Sequence, residues 1–200
     1  SAMPIKYMTL ISKFIIGTLT IASLLALPGC APLIVGAGVG ASAIIAEDRR
    51  TSGAILEDKT IEIKALKLIK NNLGEKNSIK VYSFNRYTLL VGQVDSEEKR
   101  IEAEDLTMEV SNVRQAQNEI EIAGEASSIS KNNNGFIKAK VLANFVKDEQ
   151  VKSQYFKIIV ESGVVFLMGL VTQEEGKTAS KVAAKTNGVK KVITVFEYLD

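Results

Sequence analysis

The sequence predicts an α+β fold made of two tandem modules, each a three-stranded sheet packed with two helices in the order αββαβ. Tyr87-Thr88-Leu89-Leu90-Val91-Gly92-Gln93-Val94 returns 77 positions later as Val164-Val165-Phe166-Leu167-Met168-Gly169-Leu170-Val171, and self-similarity of this kind marks a repeated unit. Around each copy, stretches with apolar residues at helical spacing alternate with short runs rich in β-branched residues. A polar, aperiodic stretch holding Ser127-Ser128, Ser130 and Asn132-Asn133 separates the copies, so 124–133 reads as a linker between modules at 58–123 and 134–200.

In the first module, Ile61, Ala65, Leu68, Ile69 and Leu73 predict an amphipathic helix over 60–73 that stops before Gly74. Strands over 79–84 and 87–94 flank Asn85-Arg86, a two-residue break of the hairpin kind. Ser96-Glu97-Glu98 has the chemistry of a helix start, and Ala103, Leu106 and Val110 supply the buried stripe of that helix. A strand over about 114–122 completes the module. The second copy repeats the order: a helix over 135–147, strands over 156–161 and 164–171 around Ser162-Gly163, a helix over 173–186, and a strand reaching Leu199. Gly92 and Gly169 each cut an apolar run and are expected to be structural, marking one shared position where backbones approach closely. Two helices suffice to cover one face of a three-stranded sheet, so the other face is expected to stay open.

Composition removes several classes of function. The chain has no histidine, the side chain most used for acid–base work near neutral pH and the commonest metal ligand. Carboxylate pairs such as Asp95/Glu98 and Glu174/Glu175 fall in the first turns of helices, where they complement the helix dipole. No catalytic residue, metal or cofactor is therefore expected. A net charge of +2 with 6% aromatics offers neither the basic footprint nor the stacking rings of a nucleic-acid binder.

The amino-terminal region points to a membrane. Ser1-Ala2 stands before Met3 as a cloning scar would, and residues 14–27 form an apolar run that fits a signal-peptide core but falls short of the roughly 20 residues of a spanning helix. It ends in Leu27-Pro28-Gly29-Cys30, whose only cysteine is similar to the acylated residue of a bacterial lipobox. This predicts a signal peptide over 1–29, lipidation with palmitate-type chains at Cys30, and a tether over 30–57. Several acyl chains, at about 0.8 kcal/mol per buried methylene, make such an attachment lasting. Gly36, Gly38 and Ala41 imitate a dinucleotide-binding loop, but no strand fits between Cys30 and Gly36 to feed one, so this stretch of small residues reads as tether.

Charge divides the modules. Residues 51–124 hold 10 Lys+Arg against 13 Asp+Glu, whereas 131–200 hold 11 against 7, so the second module alone is expected to be drawn to anionic surfaces. Its first helix sets Lys138 and Lys140 beside Phe136 and Ile137, with Lys147 and Lys152 further on, a mixture suited to a membrane interface. Ile137 and Phe145 also fall near the spacing of one buried face.

The doubled helix–strand–strand–helix–strand order, the runs Leu90-Val91-Gly92-Gln93-Val94 and Leu167-Met168-Gly169-Leu170-Val171, and the entries Val113-Arg114 and Gly188-Val189-Lys190 resemble BON domains. With the lipobox, the chain over 30–200 is similar to the dual-BON outer-membrane lipoproteins. The resemblance implies a non-enzymatic protein anchored on the periplasmic face of the outer membrane, where it supports envelope integrity. It also implies that the second domain binds anionic phospholipids such as phosphatidylglycerol or cardiolipin through its first helix, here Phe136, Ile137, Lys138, Lys140 and Val141. The alternative reading is an adaptor whose open sheet faces or edges dock onto the outer-membrane protein assembly machinery.

Overall fold

The computed structural model describes residues 48–74, 77–122 and 131–200; the predicted signal peptide, Cys30 and the tether up to residue 47 lie outside them. The first module comprises α1 (Ser52–Leu73), β1 (Lys80–Phe84), β2 (Tyr87–Val94), α2 (Glu97–Met108) and β3 (Gln115–Ile122). The second comprises α3 (Lys131–Lys147), β4 (Phe156–Glu161), β5 (Val164–Val171), α4 (Gln173–Ala184) and β6 (Lys191–Tyr198), with a 3₁₀ turn, Ser153–Tyr155, before β4. In each sheet the middle strand pairs antiparallel with the strand before it and parallel with the last one, and the parallel step needs the crossover that α2 or α4 supplies. This is the predicted α+β architecture.

Two helices begin earlier than their apolar spacing suggests. α1 starts at Ser52 because the Thr51 side chain accepts a hydrogen bond from Ala54 N at 3.1 Å, capping a first turn with few apolar residues. α3 starts at Lys131, inside the predicted linker, through a run of asparagines that helix propensity disfavours.

A side chain from each of these helices holds the hairpin of its own module. Asn85 and Arg86, at φ 49° and 66°, form the left-handed pair of a two-residue turn. The buried Asp58 carboxylate accepts hydrogen bonds from Asn85 N at 2.8 Å, Arg86 N at 2.7 Å and Ser83 Oγ at 2.8 Å, and pairs with Arg50 at 3.0 Å. In the second module the turn is Ser162-Gly163, at φ 52° and 84°, and the buried Asn134 accepts from Gly163 N at 3.2 Å. The glycines of the middle strands repeat likewise. A Cβ on Gly92 would lie 2.3 Å from Ser78 O, and one on Gly169 would lie 2.9 Å from Tyr155 O, because the chain entering each hairpin crosses there.

Three apolar cores follow from strand alternation. Leu90 and Val94 of β2, with Val81 and Ile120, meet Ile61, Ala65 and Ile69 of α1 and Ala103 and Leu106 of α2. Val165, Leu167 and Val171 of β5 meet Ile137, Val141 and Phe145 of α3 and Ala179 and Ala183 of α4. The remaining face of each sheet, expected to be open, is covered by the other sheet: Phe84, Leu89 and Val91 pack on Ile159, Phe166, Met168 and Val195. β2 and β5 carry apolar residues at successive positions instead of alternating ones, as strands buried on both faces do. The body is thus four layers, helices–sheet–sheet–helices, and its cores lie entirely within the described residues.

Ion pairs rim the joint between the sheets. Lys80 meets Glu161 at 2.6 Å, Lys157 meets Glu62 at 2.6 Å while donating to Ser83 O at 3.0 Å, and Arg114 and Asn85 both reach Glu197. Just before α1, Arg49 makes two hydrogen bonds to Glu175, of 2.6 and 2.8 Å, and lies 3.8 Å over the Tyr155 ring. Its neighbour Arg50 binds Asp48 and Asp58 and covers Phe84, so adjacent arginines grip different modules.

Phe166→Ala empties the middle of the joint, and a loss of about 3–5 kcal/mol in unfolding free energy, read from the denaturant midpoint, is expected. Acid should loosen the same joint. Burial works against the Glu62 carboxylate, but hydrogen bonds from Lys157 and Ser83 N and the charge of Lys157 outweigh it and hold the pKa below the ordinary 4.5. A carboxylate with a depressed folded-state pKa contributes stability above its unfolded pKa, and that contribution is lost as pH falls through the folded value. The urea midpoint should therefore drop below about pH 4.5, and Glu62→Gln should make the drop shallower.

Candidate functional site: the outer face of the helix Lys131–Lys147

The inward line of α3 is Asn134, Ile137, Val141 and Phe145, spaced by three and four residues and buried against the second sheet. Everything opposite that line faces outward. Phe136 and Val146 are each 70% exposed and Leu142 is 46% exposed. At 100° per residue, Phe136, Lys140, Ala143 and Lys147 run along the helix in one row, with Ala139, Leu142 and Val146 beside them. Lys138, Lys140 and Lys147 are exposed, and no acid occurs between Lys131 and Lys147 to neutralise them. An apolar strip flanked by cations is the arrangement of a helix that lies in a membrane interface.

The predicted contact residues separate on this surface. Phe136, Lys140 and Lys147 share the outward row, while Lys138 stands at its flank, lining a cavity of about 160 Å³ with Tyr82 and Lys157 at the edge of the joint. Ile137 and Val141 do not belong to the set. They are 1% and 0% exposed, because they stand four residues apart on the stripe that Phe145 continues into the core. Lys152 is exposed but follows the helix, beyond Asp148 and Glu149, at the start of the 3₁₀ turn. Leu142 and Val146 join the face unforeseen; four residues apart, they follow Lys138 and Ala139 along the flank of the Phe136 row, outside the buried line of Ile137, Val141 and Phe145.

Near the other helix of this module, Glu175 closes a capping box with Thr172 and is held below the ordinary carboxylate range, first by the Arg49 hydrogen bond, with burial opposing and Thr172 N adding to it. That role is structural and leaves the α3 face untouched. Among the described residues, no group of three or more His, Cys, Asp or Glu side chains is placed to hold a metal ion. No described helix is long and apolar enough to cross a membrane.

Residues 57–124 and 134–200 both match the BON domain family. The outer membrane lipoprotein DolP of Haemophilus influenzae is 34% identical over 176 residues, which covers 87% of this chain and 91% of that protein. The 21 kDa hemolysin of Actinobacillus pleuropneumoniae is 32% identical over 158 residues, 76% of this chain and 79% of its own length. Of solved structures, the C-terminal domain of CdsD, a structural protein of the Chlamydia trachomatis type III secretion system, covers 72% of this chain at 14% identity with a TM-score of 0.29, which carries no argument. Two matched domains and a relative aligned over most of both chains show the family: the protein belongs to the dual BON-domain lipoproteins of the DolP type.

Proposed function

We propose that this protein is a non-enzymatic lipoprotein, anchored at the periplasmic face of the outer membrane through Cys30, whose second BON domain binds anionic phospholipids and so supports outer-membrane integrity. The observation that carries the reading is the α3 face, where Phe136 and Val146 stand exposed among Lys138, Lys140 and Lys147 on a helix without acids. Location is supported by the similarity to an outer membrane lipoprotein and by the lipobox ending at Cys30. The absence of any histidine from the sequence supports a role without acid–base catalysis.

The energetics suit a contact that works only near its membrane. A lysine close to an anionic leaflet is worth about 1 kcal/mol, and burying one phenylalanine side chain about 1.5–3 kcal/mol. Three lysines and one or two apolar side chains therefore give modest affinity, and a lipid anchor raises the local concentration enough to make it effective. The adaptor reading keeps only the strand edges, since the sheet faces on which a partner would dock are already packed on each other.

Because residues 48–200 contain all three cores, that body can be tested free of the anchor. It should sediment with phosphatidylglycerol or cardiolipin vesicles and much less with phosphatidylcholine ones, and added salt should weaken the binding by screening the lysines. Phe136→Ala or Lys140→Glu should weaken it about tenfold, the equivalent of roughly 1.4 kcal/mol. Equal binding to neutral and anionic vesicles would contradict the proposal.

A further inference from the structure

The first module is acidic as a whole, yet its first helix is basic on the outside. We infer that the outer face of α1 is a second, weaker contact for anionic lipid, placed on the layer opposite α3. Lys59, Lys64, Lys67 and Lys70 are all exposed on this helix. Two of its three acids are engaged elsewhere, Asp58 buried beneath the hairpin and Glu57 accepting a hydrogen bond from Asn112, while Glu62 turns to Lys157 and Ser83 N and also pairs with Lys59 at 3.3 Å, so Lys64, Lys67 and Lys70 carry the charge of the face. A charge total for the module counts these acids, but the surface does not present them equally.

Apolar side chains complete the likeness to α3. Leu56 is 70% exposed and Ile63 59% exposed, one above the other at a spacing of seven, with Lys59, Lys67 and Lys70 alongside. The inward rows of the two helices superpose at an offset of 76, Ile61, Ala65 and Ile69 onto Ile137, Val141 and Phe145, and that offset sets Lys64 on Lys140.

Lipid is the occupant favoured by the chain itself. α1 is the first element after the Arg49-Arg50 grip, and the sequence leading into it from the proposed anchor at Cys30 is nearly all small and apolar over 31–46, so among the described helices α1 is the one nearest in the chain to the proposed anchor. This part of the argument rests on the anchoring reading. Exposed Glu98, Glu102 and Asp105 on the neighbouring α2 share the layer and oppose a flat landing, which makes this contact the weaker one.

The two helix layers lie on opposite sides of the doubled sheet, so a body free in solution should hold two bilayers at once. Residues 48–200 mixed at low salt with equimolar phosphatidylcholine–phosphatidylglycerol vesicles should bind and also cluster them, binding read by sedimentation and clustering by light scattering. The double variant Lys67→Glu/Lys70→Glu, and separately Leu56→Ala, should reduce binding about threefold and abolish clustering while leaving the thermal midpoint unchanged. Unchanged binding and clustering in both α1 variants, with Phe136→Ala still weakening binding, would overturn this inference and leave the proposed function standing. Loss in the α1 variants with none in Phe136→Ala would sustain the inference and remove α3 from the proposed function.

Discussion

The packing of Phe84, Leu89 and Val91 against Ile159, Phe166, Met168 and Val195 is the contact on which the rest of the body depends. Each module is small for a self-supporting core, and sharing a third core lets two small units behave as one larger one. The contact also decides which surfaces remain for function. Once the sheets cover each other, only the helix layers and the strand edges face outward. Arg49 and Arg50 reinforce that outcome from the same dipeptide, the first stacked on Tyr155 of one module and the second on Phe84 of the other.

Duplication has kept the skeleton and released the surface. Asp58 and Asn134 grip equivalent turns, Gly92 and Gly169 admit equivalent chain crossings, and the buried rows of α1 and α3 correspond residue for residue. Buried positions answer to packing and to the cost of an unpaired polar group, which tolerate little change. Outward positions answer to whatever the surface meets. Thr60 and Phe136 stand at one position of the repeat, as do Glu62 and Lys138, so α1 gives one side chain of this flank to its partner module, whereas α3 keeps an exposed ring and a cation there.

Much of the fold was legible in the sequence, since a repeated strand and regular apolar spacing are properties of the chain alone. β2, β4 and β5 fall where alternation and turn residues put them. The helix starts at Ser52 and Lys131 were missed because a cap from Thr51 and a run of asparagines carry no apolar periodicity. The covered sheet faces were written in Leu89-Leu90-Val91 and Phe166-Leu167-Met168, where consecutive apolar residues demand burial on both sides, but a single three-stranded sheet offers no place for the second set until its twin is considered. At the candidate site, residue type named Phe136 and the lysines, while only the helix phase separates Ile137 and Val141 from Leu142 and Val146.

The central claim is that α3 meets anionic lipid with its outward face. Paramagnetic relaxation from spin-labelled lipid in phosphatidylglycerol nanodiscs, read on the side chains of residues 48–200, tests this without any substitution. Broadening should be greatest at Phe136, Leu142 and Val146 and slight at Ile137 and Val141, which lie on the buried side of the same helix. A maximum on the edge of β3, or broadening spread evenly over the body, would contradict the account.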